Sequence, residues 1–170
     1  MTQHAPLFIV LLPVSAALLC MLFSRIQKNL GSWIVIASIA GAFLSAVSSL
    51  QQVIADGGKA LHYWMGNWQP PLGIEFVIDP ISGALAVLIT FISLLGAIYS
   101  LPFVKEEGWL HIGGYYTLYG LMTVGMCGMV ITGDVFNLYV FLEVMSLSGY
   151  GLIAIGGKKS MLAAFRYLLI

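Results

Sequence analysis

Apolar stretches of about twenty residues constrain this 170-residue sequence more than any other feature. At 1.5 Å per residue, about twenty helical residues cross a hydrocarbon core of roughly 30 Å. A helix also satisfies the backbone polar groups within a single spanning segment. The sequence therefore predicts an all-α integral membrane protein with about five transmembrane helices and the start of a sixth. The predicted spanning segments cover about residues 5–24, 31–55, 80–100, 111–132 and 135–155.

The composition supports lipid as the solvent of this chain. Hydrophobic residues make up 60% and charged residues 8%, whereas soluble domains carry about 25% charged residues. Seven basic residues balance seven acidic ones, so net charge favours neither nucleic acid nor an acidic partner, and the apolar composition predicts the lipid bilayer as a partner. Cys20 and Cys127 lie inside apolar segments without a metal-ligand or disulfide spacing, which predicts buried hydrophobic side chains. No haem, cluster or metal pattern is present, so we predict no cofactor.

The connection at 56–78 is predicted to form an external β-hairpin at the membrane surface. Its turn residues flank two short runs of aromatic and branched residues, which is typical of a hairpin. Trp64 and Trp68 suit a membrane interface. Asp79 and Pro80 then predict the N-cap and the first residue of the third helix. The other acids of the connections, Asp56, Glu75, Glu106 and Glu107, are expected to be solvated.

Further capping and breaking residues set the expected ends of the later helices. Pro102 and the polar stretch 105–108 predict the end of the third helix. Asp134 is expected to cap the fifth helix and Ser160 the sixth. The sixth helix has about ten residues before Ile170, half of what a span needs. We therefore expect either a fragment of a longer polypeptide or a split subunit whose remaining helices come from another chain.

Basic residues predict the orientation of the chain in the membrane. If the segments alternate, six basic residues fall on one side and Lys59 alone falls on the other. Positive charge marks the cytoplasmic side, so the N-terminus and the hairpin are predicted to be outside. The six residues are Arg25, Lys28, Lys105, Lys158, Lys159 and Arg166.

Glu143 is the acid that falls inside an apolar segment, about nine residues into the fifth helix and near the middle of the bilayer. An ionised side chain there costs at least about 2.5 kcal/mol, so it must face a polar interior, find a partner or stay protonated. Helical spacing places Tyr139, Ser146 and Tyr150 on the same face, as a stripe of hydroxyl groups that could hold water. We predict that Glu143 exchanges a proton; the alternative is a carboxyl group that bonds a neighbouring helix and never titrates.

Arg166, about six residues into the sixth helix, has two interpretations. It is either a charge partner near Glu143 or a side chain that extends toward the membrane interface. No nucleophile–base or metal-ligand spacing favours an intramembrane enzyme. Two function classes therefore stay open: an ion-translocating membrane subunit and a non-transporting scaffold.

Three stretches of the sequence, 75–83, 133–143 and 163–169, resemble the antiporter-like membrane subunits. This family is shared by respiratory complex I (NADH:quinone oxidoreductase), the Mrp-type multisubunit Na⁺/H⁺ antiporters and membrane-bound hydrogenases. The stretch 133–150 looks most similar to the D subunit of the Mrp group. The resemblance implies an all-helical subunit of about fourteen membrane helices with two inverted repeats, each containing a broken helix.

The resemblance also implies roles for parts of this chain. Residues 1–110 would form helices 1–3 with the hairpin-like loop, and 111–170 would begin the first inverted repeat. Glu143 would pair with a lysine on the broken seventh helix, which lies beyond this sequence, and Arg166 would match a basic position near that path. The implied function is proton or cation translocation, with H⁺ and Na⁺ as candidate ions, in a bacterial or archaeal plasma membrane. Other membrane subunits would be partners and would supply any redox chemistry.

Overall fold

The computed structural model describes residues 4–27, 29–68, 73–104, 109–156 and 158–169. Within these ranges the chain forms six α-helices and one two-stranded antiparallel sheet, with a 3₁₀ turn at Met65–Asn67 between the strands. The elements in chain order are α1 (Ala5–Ile26), α2 (Leu30–Ala55), β1 (Leu61–Trp64), β2 (Glu75–Ile78), α3 (Pro80–Val104), α4 (Trp109–Ile131), α5 (Val135–Ala154) and α6 (Lys158–Leu168).

Five of the described helices, α1 to α5, are long and apolar enough to cross a membrane. This confirms the predicted fold class, and the helix bounds agree with the sequence prediction to within a few residues. The predicted hairpin is also present, with Leu61 opposite Ile78 and Trp64 opposite Glu75. Several predicted features lie outside the described residues, namely Lys28, the residues 69–72 of the hairpin loop, and the stretch 105–108 with Lys105, Glu106 and Glu107.

Two helix ends differ from the prediction by a few residues. α3 continues past Pro102 to Val104, because a proline in the last turn removes a single backbone hydrogen bond, a loss that membrane helices tolerate. α6 begins at Lys158, so Ser160 is its third residue and not its N-cap. The Ser160 hydroxyl lies against Gly156 in the preceding turn.

α1 to α4 form a four-helix bundle. α1 packs on α2 and α4, and α3 packs on the same two helices, whereas α5 packs mainly on α4 and α6 on α5. Cys20 and Cys127 are free and fully buried in this bundle, as their positions in apolar segments predicted. The bundle therefore has its own core, while α5 and α6 extend from one side of it.

The two ends of the bundle differ in what they carry. His4, just before α1, bonds Tyr63 of β1 with 3.0 Å between Nδ1 and Oη, so the start of α1 and the hairpin share one end, called the hairpin end. The last residues of α1, α3 and α5 lie at the other end, called the loop end. Arg25 and Lys159 belong to the loop end and Lys59 to the hairpin end, and the assignment of the hairpin end to the outside stays a prediction.

Asp79 caps α3 as predicted. The Ser82 amide donates to Asp79 Oδ1 at 2.6 Å, and the Asp79 amide donates to Ser82 Oγ at 2.8 Å. This reciprocal pair satisfies two amides at the start of a helix. The hydrogen bond from the Ser82 amide also lowers the pKa of Asp79 below its usual value, because it favours the ionised carboxylate.

Candidate functional site

The candidate site lies on α5, whose start is fixed by a polar turn at residues 132–134, called here the α4–α5 turn. Asp134 Oδ1 accepts from the Phe136 amide at 3.0 Å, which confirms Asp134 as the N-cap. Asn137 Nδ2 donates to Thr132 Oγ1 at 3.0 Å. Glu143 is the ninth of the twenty residues of α5, about 12 Å along the helix from its start.

Two glycines of α4 bring α5 close on one face. A Cβ atom added to Gly125 would lie 2.7 Å from the backbone nitrogen of Met145, and one added to Gly128 would overlap the Phe141 ring. Small residues permit this kind of close approach between membrane helices. Glu143 is two residues from Phe141, which is about 200° around the helix. Its side chain therefore leaves α5 on the face opposite α4, where it is partly exposed.

The structure divides the predicted hydroxyl stripe into two groups along α5. Tyr139 is four residues before Glu143 on the same face of α5, and its side chain is exposed. Closer to the loop end, Ser146 and Tyr150 line a cavity of about 350 Å³ between α4, α5 and α6. Ser146 and Tyr150 thus share one cavity, which Tyr139 and Glu143 do not line. The other lining residues are Met122, Met126, Met145, Gly149, Ile153 and Tyr167.

Tyr167 of α6 is a site residue that the sequence reasoning missed. Its ring meets that of Tyr150 edge to face, with 5.6 Å between ring centroids, and it adds a third hydroxyl to the cavity. The sequence did offer one signal for this residue: Tyr167 is next to Arg166, in the stretch 163–169 that resembles the antiporter-like subunits. A tyrosine in a short apolar segment gives no indication of which neighbouring helix it faces, so the contact had to come from the structure.

Arg166 is exposed on α6. The buried residue of this helix is Ala164, which is 6% exposed, and Arg166 is about 200° further around the helix. Among the described residues, no ion pair joins Arg166 to Glu143. A role of Arg166 near Glu143 therefore stays a prediction.

The hairpin carries a second polar cluster, around Glu75. His62 Nδ1 lies 2.7 Å and Trp64 Nε1 lies 2.9 Å from Glu75 Oε1. Hydrogen bonds from these two side chains lower the pKa of Glu75 below its usual value. The expectation of a merely solvated Glu75 is therefore wrong, because the strand register sets Glu75 opposite Trp64 and places His62 on the same face.

Large apolar side chains cover the outer faces of α5 and α6. Such a surface exceeds what a soluble monomer exposes and marks contact with lipid or with other helices. Within the described part of the chain, no group of three His, Cys, Asp or Glu residues could hold a metal ion. The exposed apolar residues of the two helices include Val135, Phe136, Leu142, Leu147, Leu162, Phe165 and Leu168.

No protein-family model matches the chain. Over all 170 residues the chain is 39% identical to NADH-quinone oxidoreductase subunit N of Desulforudis audaxviator, and the match covers 34% of that relative. It is 30% identical over 153 residues to the D subunit of the Na⁺/H⁺ antiporter of Bacillus subtilis, which covers 90% of this chain and 30% of the relative. The chain thus spans about a third of the length of these curated relatives.

Solved structures of membrane complexes share the fold. A chain of the membrane-bound sulfane sulfur reductase, an archaeal respiratory membrane complex, gives a TM-score of 0.88 at 28% identity, over 98% of this chain and 34% of that chain. A chain of the Mrp complex from Dietzia gives a TM-score of 0.73 at 27% identity, over 89% of this chain and 27% of that chain.

These similarities confirm the resemblance found in the sequence. The complex I-type relative shares more identity with the whole chain than the antiporter relative does, although the stretch 133–150 alone looks most similar to the antiporter group. With five apolar helices, the chain is an integral membrane protein of a bacterial or archaeal plasma membrane.

Proposed function

We propose that this chain, a homologue of the antiporter-like membrane subunits of complex I-like and Mrp-type complexes, forms part of an ion-translocating subunit in which Glu143 exchanges a proton. One observation carries the proposal. Glu143 is an acid near the middle of a spanning helix, on the face turned away from α4, with Tyr139 one helical turn away on the same face. An intramembrane acid is expensive to keep, which favours a function that uses its charge.

The chemistry that these residues could perform is proton storage and release. The neutral carboxyl group of Glu143 holds a proton at low cost in lipid, whereas the carboxylate needs hydrogen-bond donors or a cation. We propose Tyr139, one helical turn away on the same face, as one hydroxyl donor. The cavity lined by Ser146, Tyr150 and Tyr167 has room for water molecules, since a water needs about 30 Å³ and two to four polar partners. We propose that protons reach Glu143 from the loop end through this cavity.

The remaining parts of the proposal concern what lies beyond this chain. The resemblance implies that a lysine on a later helix pairs with Glu143, that other membrane subunits surround α5 and α6, and that the coupled ion is H⁺ or Na⁺. The apolar outer faces of α5 and α6 support contact with further helices. The excess of basic residues at the loop end supports a cytoplasmic location for that end.

The test is the variant Glu143→Gln in the assembled complex. Infrared difference spectra across pH would follow the carboxyl band while proton translocation is measured in vesicles. We expect the variant to lose the titrating band and at least about tenfold of the transport rate, because glutamine cannot release a proton. Asp56→Asn is the matched control: it removes a carboxylate just after α2 and should leave both signals unchanged.

A non-transporting scaffold is the second candidate, and the unpartnered apolar faces of α5 and α6 favour it. In that case Glu143 would bond a neighbouring helix without titrating. Full transport in Glu143→Gln, together with a carboxyl band that does not change with pH, would establish the scaffold and refute the proposed relay.

A further inference from the structure

We propose that the hairpin β1–β2 is a clamp that holds α5 in position, and that Phe76 and Gly133 are the residues through which it positions Glu143. The inference rests on the proposed role of Glu143. On this proposal, a hairpin that spans no membrane helps to set the position of a carboxyl group within a spanning helix. The contacts fall into three steps, from the strand to the turn, from the turn to the helix, and from the strand directly to the helix.

The first step joins β2 to the α4–α5 turn by backbone contacts. The Gly133 amide donates to the Glu75 carbonyl at 2.9 Å, and Phe76 forms an antiparallel bridge with Thr132. A Cβ atom added to Gly133 would lie 2.6 Å from Val77 Cγ2. The strand can therefore approach this closely only because residue 133 has no side chain.

The second step joins the same turn to α5. Thr132 Oγ1 accepts from the Asp134 amide at 3.3 Å and from Asn137 Nδ2 at 3.0 Å. Asp134 in turn caps the helix through the Phe136 amide. The residues that the hairpin holds are thus the residues that begin α5, with no flexible segment between the clamp and the helix.

The third step is a direct contact between aromatic side chains. The rings of Phe76 and Phe141 lie with centroids 6.4 Å apart, and these side chains are only 1% and 8% exposed. Phe141 is wedged on its other side against Gly128 of α4. The ring of Phe141 is therefore enclosed by the hairpin and α4, which fixes the rotation of α5 about its own axis.

Rotation matters because Glu143 lies on the opposite face from Phe141. With a helix radius of about 5–6 Å including side chains, a 30° rotation of α5 would move the Glu143 carboxylate by about 3 Å. A displacement of that size would misalign Glu143 with any hydrogen-bonding partner on another helix. The hairpin thus controls a distance on which proton exchange depends.

The polar end of the hairpin makes the clamp rigid. Glu75, whose carbonyl binds Gly133, is itself held by His62 and Trp64 across the sheet. Tyr63 ties β1 to His4 at the start of α1. Both strands are therefore anchored, so the hairpin is rigid and restrains the position of the α4–α5 turn.

The test compares Phe76→Ala with Ile78→Ala in the assembled complex. Ile78 is a matched control, because it is on the same strand, is fully buried and lies against Gly83 of α3. The readout is the rate at which a hydrophobic carbodiimide modifies Glu143, mapped by mass spectrometry and normalised to the amount of complex. We expect Phe76→Ala to change this rate by about threefold or more through displacement of Glu143, Ile78→Ala to leave it unchanged, and Phe76→Leu to restore it.

Equal labelling rates in Phe76→Ala, Ile78→Ala and the wild type would overturn the clamp. If Phe76→Ala does not assemble, Gly133→Ala replaces it, because the added methyl group pushes against Val77 and shifts the turn; an unchanged labelling rate in that variant would equally refute the clamp. The labelling does not depend on transport. A failure of the proposed function, with full transport in Glu143→Gln, is therefore distinguishable from a failure of the clamp.

Discussion

The contact between α4 and α5 gives a prediction whose size follows from one distance. In Gly125→Ala the new methyl carbon would lie 2.7 Å from the backbone nitrogen and 2.8 Å from the Cα of Met145. Carbon atoms in contact prefer about 3.5–4.0 Å. Because backbone atoms cannot rotate away, α5 must move from α4 by about 1 Å. Gly114→Ala, in the same helix, is the matched control, since its new methyl group meets open space.

The two variants share every effect except the clash. Each gains up to about 1 kcal/mol of helix propensity from glycine to alanine. Overpacking in Gly125→Ala adds a cost of about 1–3 kcal/mol. The propensity gain is common to both, so the difference in their free energy of unfolding reports the overpacking cost alone. We expect Gly125→Ala to be less stable than Gly114→Ala by about 1–3 kcal/mol.

Equilibrium unfolding of the complete subunit in mixed detergent micelles would measure this difference, with circular dichroism as the signal. A transport assay on the same variants adds a functional reading, because a displacement of α5 by about 1 Å carries Glu143 with it and can cost up to about 100-fold in rate. Equal stability and equal transport in the two variants would refute the close packing of α4 on α5 and the argument built on it.

Two further predictions follow from polar contacts. Hydrogen bonds from His62 and Trp64 hold the pKa of Glu75 below its usual value. The stability that they add is therefore present above the unfolded pKa and is lost as pH falls through the lower folded pKa. Trp64 fluorescence should report an acid transition in the wild type that Glu75→Gln lacks, and a transition of equal size in that variant would contradict the prediction. Tyr116→Phe removes a buried hydroxyl that bonds Ser100 Oγ and donates to the Ala97 carbonyl. At about 0.6 kcal/mol for each bond, it should lower the free energy of unfolding by about 1.2 kcal/mol, and by no more than about 3.4. A larger loss in the same unfolding assay would mean that Tyr116 has another role.

Much of the fold was predictable from the sequence because local chemistry decides it. Apolar length identified five spans, and the caps at Asp79 and Asp134 were recognisable because a carboxylate before a helix satisfies free amides. The hairpin followed from turn residues between β-prone runs. Glu143 stood out because one acid in an apolar segment has a cost that can be estimated without knowing its neighbours.

The remaining features depend on which helices meet, which the local sequence does not encode. Glu75 looked like a solvated acid until the strand register set it beside two donors. Tyr167 joined the cavity only because α6 folds back on α5. The position of Arg166 within α6 was predictable, but the direction of its side chain was not. That direction depends on which face of α6 is buried, and the buried residue is Ala164. Pro102 suggested an end of α3 a few residues too early, because proline is less disruptive to helices in a membrane.

The bond from Gly133 to the hairpin also sets an order of events during synthesis. The hairpin ends at Ile78, so 133 − 78 = 55 further residues must be made before its partner in the α4–α5 turn exists. At about 5–20 residues per second, that takes roughly 3–11 s. During this interval β2 has an unpaired edge, and strand edges of this kind attract other chains. The arrival of the turn covers that edge, so in each newly made copy the outer edge of β2 stays open until α3 and α4 have been synthesised.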